Sequence, residues 1–171
     1  MKPNDNGKRP LLPAIETLGL DRTDLALLKT LQEQGRTKRN ELAEEVGLSL
    51  PAVSERMRKL EERGILEGVY AKLDPKLIGL DVAVFITVTV ESSSKYPEFL
   101  RAAKLHPEVL EIHAITGDGS HLIKARTWNT TTLERLLSQI QQFPGVKQTR
   151  TNVVLSTYKE TMALPIEELT T

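Results

Sequence analysis

The hydrophobic period of the chain changes near residue 65. Before that point apolar residues recur every three or four positions, as on one face of an α-helix. Leu25, Leu28 and Leu31 form the first stripe, after an Asp21 suited to an N-cap and before a Gly35 that ends the pattern. A second helix is predicted after Thr37, with Leu42, Ala43 and Val46 on one face and Gly47 as terminator. Ser49 caps a third and Pro51 sits in its first turn. Val53, Met57 and Leu60 make its inward stripe, and Gly64 closes it. Three short helices with tight connections make a small α-domain.

Beyond Gly64 the pattern turns to β. Residues 65–73, I-L-E-G-V-Y-A-K-L, predict a short two-stranded wing, broken by Asp74-Pro75. Residues 82–91, V-A-V-F-I-T-V-T-V-E, are dense in β-branched side chains and predict the clearest strand of the chain. A helix follows over 95–105, with Phe99, Ala102 and Ala103 on one stripe, then strands over 109–116 and 121–127. A helix over 130–142, with Thr131 and Glu134 as a capping box, ends at Pro144-Gly145 before a last strand over 146–158. The order β-α-β-β-α-β spells a ferredoxin-like sandwich, so the fold class is α+β. One face of its sheet stays open, and covering that face predicts a sheet-to-sheet dimer.

Composition narrows the function. With 23 basic and 23 acidic side chains the formal net charge is zero, which excludes a polycationic coat but not a local basic face. There is no cysteine, hence no disulfide framework, thiolate zinc site or cysteine nucleophile. That suits a reducing cytoplasm. No apolar run approaches the length of a membrane span, and the polar, proline-broken start M-K-P-N-D-N-G-K-R-P lacks a signal-peptide core.

The run L42-A-E-E-V-G-L-S49 places a short helix, a glycine turn and a capped helix at helix-turn-helix spacing. With Val53, Met57 and Leu60 inward, Pro51, Ala52, Ser54, Glu55, Arg58 and Lys59 project outward. Ser54, Glu55 and Arg58 are assigned to base edges, because arginine forks onto guanine and glutamate accepts from cytosine. Arg36, Lys38 and Arg39 gather at the start of the second helix and suit phosphates, with Ser49 and Arg63 as further backbone contacts. Arg56 lies beside the inward stripe and is read as a brace. Between residues 36 and 63 seven basic residues face six acidic ones. Charge alone is thus as compatible with a solvated helix face as with DNA, and the helix-turn-helix spacing decides for DNA.

These residues carry a resemblance. L20-D-R-T-D-L-A-L-L, G35-R, E41-L-A-E-E-V-G-L-S, V53-S-E-R-M-R-K-L-E-E-R-G-I, G117-D, L122-I-K and P144-G-V-K-Q-T-R-T-N-V-V together resemble the Lrp/AsnC, or feast/famine, family over about residues 20–160. The resemblance implies an N-terminal winged helix-turn-helix, a hinge strand, and a C-terminal ferredoxin-like βαββαβ sandwich that dimerises and often builds octamers. It also implies a small effector, usually an amino acid, bound between C-terminal domains. The expected organisation is a flexible arm over 1–19, a helix-turn-helix domain over 20–66 and a wing and hinge over 67–80. An effector-binding and oligomerisation domain then spans 81–160, with a tail over 161–171. Double-stranded DNA and a second copy of the chain are the expected partners, with no membrane, no cofactor and a cytoplasmic address.

The stretch I115-T-G-D-G-S-H-L-I-K-A-R126 holds the most conspicuous glycine pair. It lacks the third glycine of a dinucleotide loop and continues as alternating, β-prone sequence, so it predicts a hairpin turn. The resemblance puts the effector site there, but Ser120 and His121 stand where the family has an acidic and an aromatic residue. Gly117, Asp118, Ser120, Thr149 and Arg150 are the candidate effector residues, Arg150 being equally compatible with a strand-surface salt bridge. No catalytic residue is assigned. The spacing of His106, His113 and His121 offers no complete metal site, although 113 and 121 stand to approach each other across the hairpin. The chain is read as a regulator and not an enzyme; the alternative is a tetrapyrrole (siroheme) decarboxylase, since some of those resemble the same two-domain family.

Overall fold

The computed structural model describes residues 19–166, so the arm predicted over 1–19 lies, but for its last residue, outside them. The chain divides into two compact units, one running up to Lys72 and taking in the residues from Glu160, the other running from Leu73 to Lys159.

The first unit holds α1 (Arg22–Glu33), α2 (Arg39–Val46) and α3 (Leu50–Glu62). Asp21 caps α1 by accepting from the Asp24 amide at 2.9 Å, and Asp24 returns the bond to the Asp21 amide at 3.2 Å. Leu27, Leu31, Leu42, Ala43, Val53 and Met57 form the core, with Val46 and Leu66 packed against it. The three-residue spacing of Leu25, Leu28 and Leu31 misplaces one position. Leu27 is fully buried and Leu28 only partly, because the inward face of α1 follows a four-residue step from Leu27 to Leu31. α1 stops at Glu33 with Gln34 as its C-cap, just short of Gly35.

Arg56 is a brace, as its position beside the inward stripe implies. It donates to Asp21 Oδ2 at 2.7 Å and to Asp24 Oδ1 at 2.8 Å, tying α3 to the capped end of α1. Burial pushes the Asp21 carboxyl up, but the Asp24 amide and the Arg56 guanidinium outweigh it and leave its pKa lowered. The Asp24 side chain is 11 % exposed, so losing Arg56 strands a nearly buried carboxylate. Arg56→Ala is expected to cost about 1–2 kcal/mol of unfolding free energy, less than a fully buried pair because Arg56 itself is partly in water. Urea denaturation followed by helical circular dichroism checks this.

Residues 65–73 do not form the predicted paired wing; no strand lies between α3 and Val82. The amides of Ile65 and Leu66 both donate to the Leu60 carbonyl, at 2.9 and 3.1 Å, and Leu66 packs into the helical core. The first half of the hairpin is therefore committed to ending α3. Beyond Leu66 the chain forms no regular element as far as Leu73, and Val69, Tyr70 and Leu73 are exposed.

The second unit runs β1 (Val82–Val90), a 3-10 turn (Ser93–Lys95), α4 (Tyr96–Leu105), β2 (Val109–Ala114), β3 (His121–Thr127), α5 (Thr130–Gln141) and β4 (Val146–Val153). All neighbouring strands are antiparallel, in the order β2-β3-β1-β4, which is the ferredoxin-like sheet. Val84, Ile86, Val88 and Val90 alternate inward from β1 and meet Ile123 and Ala125 of β3. Phe99 and Ala103 of α4 and Leu133, Leu136 and Ile140 of α5 cover the same face. The opposite face is open and carries Phe85, 37 % exposed, among Thr87, Leu122, Lys124 and Arg150.

Two ends differ from expectation. Asn129, not Thr131 with Glu134, caps α5: its side chain accepts from the Thr132 amide at 3.0 Å, and Thr132 Oγ1 accepts from the Asn129 amide at 2.9 Å. β4 stops at Val153 instead of reaching 158, because its partner β1 begins at Val82 and the last bond runs from the Val154 amide to the Ala83 carbonyl at 2.9 Å.

Candidate nucleic-acid interface and effector turn

Gly47 makes the turn between α2 and α3. It adopts φ 68°, a left-handed conformation that strongly favours glycine, and its amide and that of Leu48 return to carbonyls at the end of α2. Ser49 then caps α3, its hydroxyl accepting from the Ala52 amide at 3.4 Å. These two features set the angle at which α3 leaves the turn.

With Val53, Met57 and Leu60 buried, α3 presents Pro51, Glu55, Arg58, Lys59 and Arg63 exposed and Ala52 and Ser54 partly exposed. Pro51, Glu55, Arg58 and Glu62 follow spacings of four, three and four, so they form one stripe directly opposite the buried one. Arg58 is the only cation on that stripe, and it is held. Its Nε and Nη2 donate to the two oxygens of Glu55 at 2.8 and 2.6 Å, and its Nη1 donates to Glu62. Lys59 Nζ stands 3.7 Å from Glu55. The Arg58 hydrogen bonds, with their charge, hold the Glu55 carboxyl below its ordinary value and push the Arg58 guanidinium up. Glu62 is absent from the sequence-based set of candidates, although the stripe spacing points to it.

Lys38 and Arg39 open α2, with Arg36 in the preceding turn, and all three are exposed. The Lys38 amide is met by Glu41 Oε2 at 3.1 Å, leaving the cationic side chain turned to solvent beside the positive end of the helix.

In the second unit, residues 115–120 form the predicted hairpin turn, closed by the Ile115 amide on the Ser120 carbonyl at 3.1 Å. Gly117 and Gly119 both adopt positive φ, 98° and 93°. A Cβ on Gly119 would lie 2.5 Å from Thr87 Cγ2 and 3.1 Å from the Val88 carbonyl oxygen, so only glycine lets the turn lie this close to β1.

The five candidate effector residues do not converge. Ser120 Oγ donates to the Val88 carbonyl and accepts from the Val90 amide, each at 3.1 Å, which ties the hydroxyl to β1. Thr149 pairs with Val88 on the helix-covered face and accepts from Gln141 Nε2 at 3.2 Å. Arg150, its neighbour in the strand, points to the open face, as a period of two requires, so the two side chains leave opposite faces of β4. There Arg150 Nη1 stands 3.6 Å from Asp118 Oδ2, with both side chains well exposed. The structure thus brings Asp118 and Arg150 together beside Gly117, while the Ser120 and Thr149 hydroxyls make hydrogen bonds within the unit.

His121 fills the aromatic position in the literal sense. Its ring is 1 % exposed, edge-on to Tyr96 at 4.7 Å and tilted against Phe99 at 4.8 Å, with Nδ1 2.9 Å from Ser120 Oγ. His113 faces the other way and meets Glu111 at 3.2 Å, so the two histidines do not approach. Among the described residues no cluster of three or more His, Asp or Glu is placed to hold a metal.

Burial holds the His121 imidazole below its ordinary value of 6.5. The unfolded chain then binds the proton more readily than the folded one. Stability from this site is complete above about pH 6.5 and falls as the pH drops from there toward the lowered value, by at most about 1.4 kcal/mol per pH unit. Urea midpoints at pH 7.5 and 5.5 should differ more for the wild type than for His121→Phe; equal differences would contradict this.

Comparison with known proteins decides the family. Residues 20–67 match the winged helix-turn-helix DNA-binding model, and residues 83–164 match the Lrp/AsnC ligand binding domain. The HTH-type transcriptional regulator FL11 of Pyrococcus horikoshii is 37 % identical over 148 residues, covering 86 % of this chain and 97 % of that protein. The chain belongs to the Lrp/AsnC family. It is similar also to the leucine-responsive regulatory protein of Escherichia coli, 34 % identical over 86 % of this chain and 92 % of that one. A Neisseria meningitidis transcriptional regulator solved with L-methionine superposes with a TM-score of 0.81 at 32 % identity, over 88 % of this chain and 99 % of that one. The chain is a DNA-binding transcriptional regulator of the Lrp/AsnC type, with an N-terminal helix-turn-helix domain that matches the winged helix-turn-helix model and a C-terminal four-stranded α+β sandwich. The tetrapyrrole-decarboxylase alternative gains no support from these relatives.

Proposed function

We propose that α3 reads base edges through Ser54, Glu55 and Arg58, with Pro51, Ala52 and Lys59 lining the same approach. Arg36, Lys38, Arg39, Ser49 and Arg63 fix the helix on phosphates. The observation that carries this is the division of the first unit's surface. The residues of α3 opposite its core form a mixed, hydrogen-bonding stripe, while Lys38 and Arg39 stand as cations at a helix N-terminus. Fluorescence anisotropy with the gene's own promoter region and with random duplex is the test. The reading expects the promoter to bind at least about 1,000-fold more tightly at physiological salt. Equal affinities would refute it.

We propose further that a second copy covers the open sheet face around Phe85, and that such dimers assemble further, as far as an octamer, in the cytoplasm. Among the described residues no helix is long and apolar enough to cross a membrane.

The effector proposal is an amino acid at the turn. Its ammonium replaces Arg150 as the partner of Asp118, and its carboxylate takes the Arg150 guanidinium. What supports this is the exposed Asp118–Arg150 pair at 3.6 Å, worth little in water and readily exchanged for a zwitterion's two charges. The L-methionine bound to the Neisseria relative is consistent with it. Calorimetry against the twenty amino acids tests it: Asp118→Asn should weaken the best ligand by about tenfold. Unchanged affinity would move the site elsewhere.

A further inference from the structure

The outward stripe of α3 is unusual for a surface meant to meet DNA. Along it, opposite the buried Val53, Met57 and Leu60, stand two carboxylates and one guanidinium. Next to the phosphate walls of a groove, Glu55 and Glu62 are repelled. Pairing with Arg58 offsets that repulsion.

The contacts say what that is. Glu55 grips the Nε and Nη2 edge of Arg58 with both oxygens, and Glu62, one turn further along, engages Nη1 from the other side. A guanidinium has five N–H groups in one plane, and these three bonds leave two outside them. Held on two sides, the plane cannot swing freely toward a phosphate, and its charge is already matched. We infer that Glu55 is a specificity-determining residue that acts by positioning Arg58, holding the guanidinium plane so that its remaining donors meet a guanine edge rather than the phosphate backbone. This rests on the reading of α3 as the helix that enters the groove.

The inference reassigns Glu55. Instead of accepting from a cytosine itself, it is engaged by Arg58 on both oxygens and contributes through it. An exposed pair of this kind adds little to stability, so its worth lies in orientation and in discouraging non-specific contacts. In the groove, where water is displaced, the same bonds strengthen.

The test measures base preference position by position, by competition binding on operators changed one base pair at a time. It compares the wild type, Arg58→Ala, Glu55→Gln and the double variant. Arg58→Ala identifies the base pair that arginine reads, as the one where preference relaxes. Glu55→Gln is expected to relax preference at that same base pair by about tenfold, and the double variant to be no more relaxed there than Arg58→Ala alone. The salt slope of Glu55→Gln on random DNA should steepen by about one unit, as the guanidinium becomes available to a phosphate. Two results overturn the inference: an unchanged preference in Glu55→Gln, or relaxation at a different base pair, which would make Glu55 a base reader in its own right. A wild type without preference anywhere overturns the reading of α3 as well. Both side chains are exposed, so helical circular dichroism of the variants should match the wild type.

Discussion

Arg58→Ala is expected to cost about 1–3 kcal/mol of binding free energy on a matched operator and to relax the preference at one base pair in each half-site. The size follows from what the side chain can do. A bidentate arginine on guanine O6 and N7 discriminates by that amount, and Arg58 is the only cation on the stripe of α3 opposite its core. The contrast is Lys38→Ala, at the N-terminus of α2. Its loss should weaken binding to every sequence alike and make the salt slope shallower by about one unit. Anisotropy titrations at several salt concentrations, on operator and random DNA, separate the two patterns. If both variants lose the same amount on both DNAs, the division between base and phosphate contacts is wrong.

The largest expected change in stability is at Phe99, where replacement by Ala should cost about 3–5 kcal/mol. Phe99 is fully buried in the sandwich, where α4 meets the sheet, with its ring 4.8 Å from that of His121 and 6.4 Å from that of Phe143. Removing it opens a void in the sandwich core and takes away one of the two rings packed against His121. His121 meets Ser120, and Ser120 ties the turn over 115–120 to β1. If an amino acid binds at this turn as proposed, the variant should also bind it less tightly. The single tryptophan, Trp128, lies in this second unit and reports its unfolding by fluorescence. A loss below about 1 kcal/mol would mean that the core repacks around the gap.

The strongest periodic signals in the sequence are the ones the structure reproduces most closely. Val53, Met57 and Leu60 are all buried, and the alternation of β1 buries Val84, Ile86, Val88 and Val90. Asp21 and Ser49 cap their helices because a short oxygen-bearing side chain before an apolar stripe has one favourable use there. What escaped local reading depends on partners distant in sequence or on bonds that end an element early. The wing failed because Ile65 and Leu66 bond back to Leu60, and the tail of β4 failed because β1 starts too late to pair with it.

The candidate effector residues show the same division. Gly117, Asp118 and Ser120 are near neighbours in sequence, yet the Ser120 hydroxyl serves the backbone of β1, thirty residues away in the chain. Thr149 and Arg150 resemble the family's strand equally well, and only the two-residue alternation of a strand separates them onto opposite faces. Glu62 was legible in the four-three-four spacing from Pro51, but its part in holding Arg58 required the side chains themselves.

The central claim is that this chain selects DNA by sequence through α3. Selection from a pool of random-sequence duplexes, with sequencing of the bound fraction, tests it most directly. The account expects an enriched motif of two related half-sites about one helical turn apart, 10–10.5 base pairs, or a multiple of that. The enrichment at one base pair of each half-site should disappear when the selection is repeated with Arg58→Ala. A bound pool indistinguishable from the input, or the same motif recovered intact with Arg58→Ala, would contradict it.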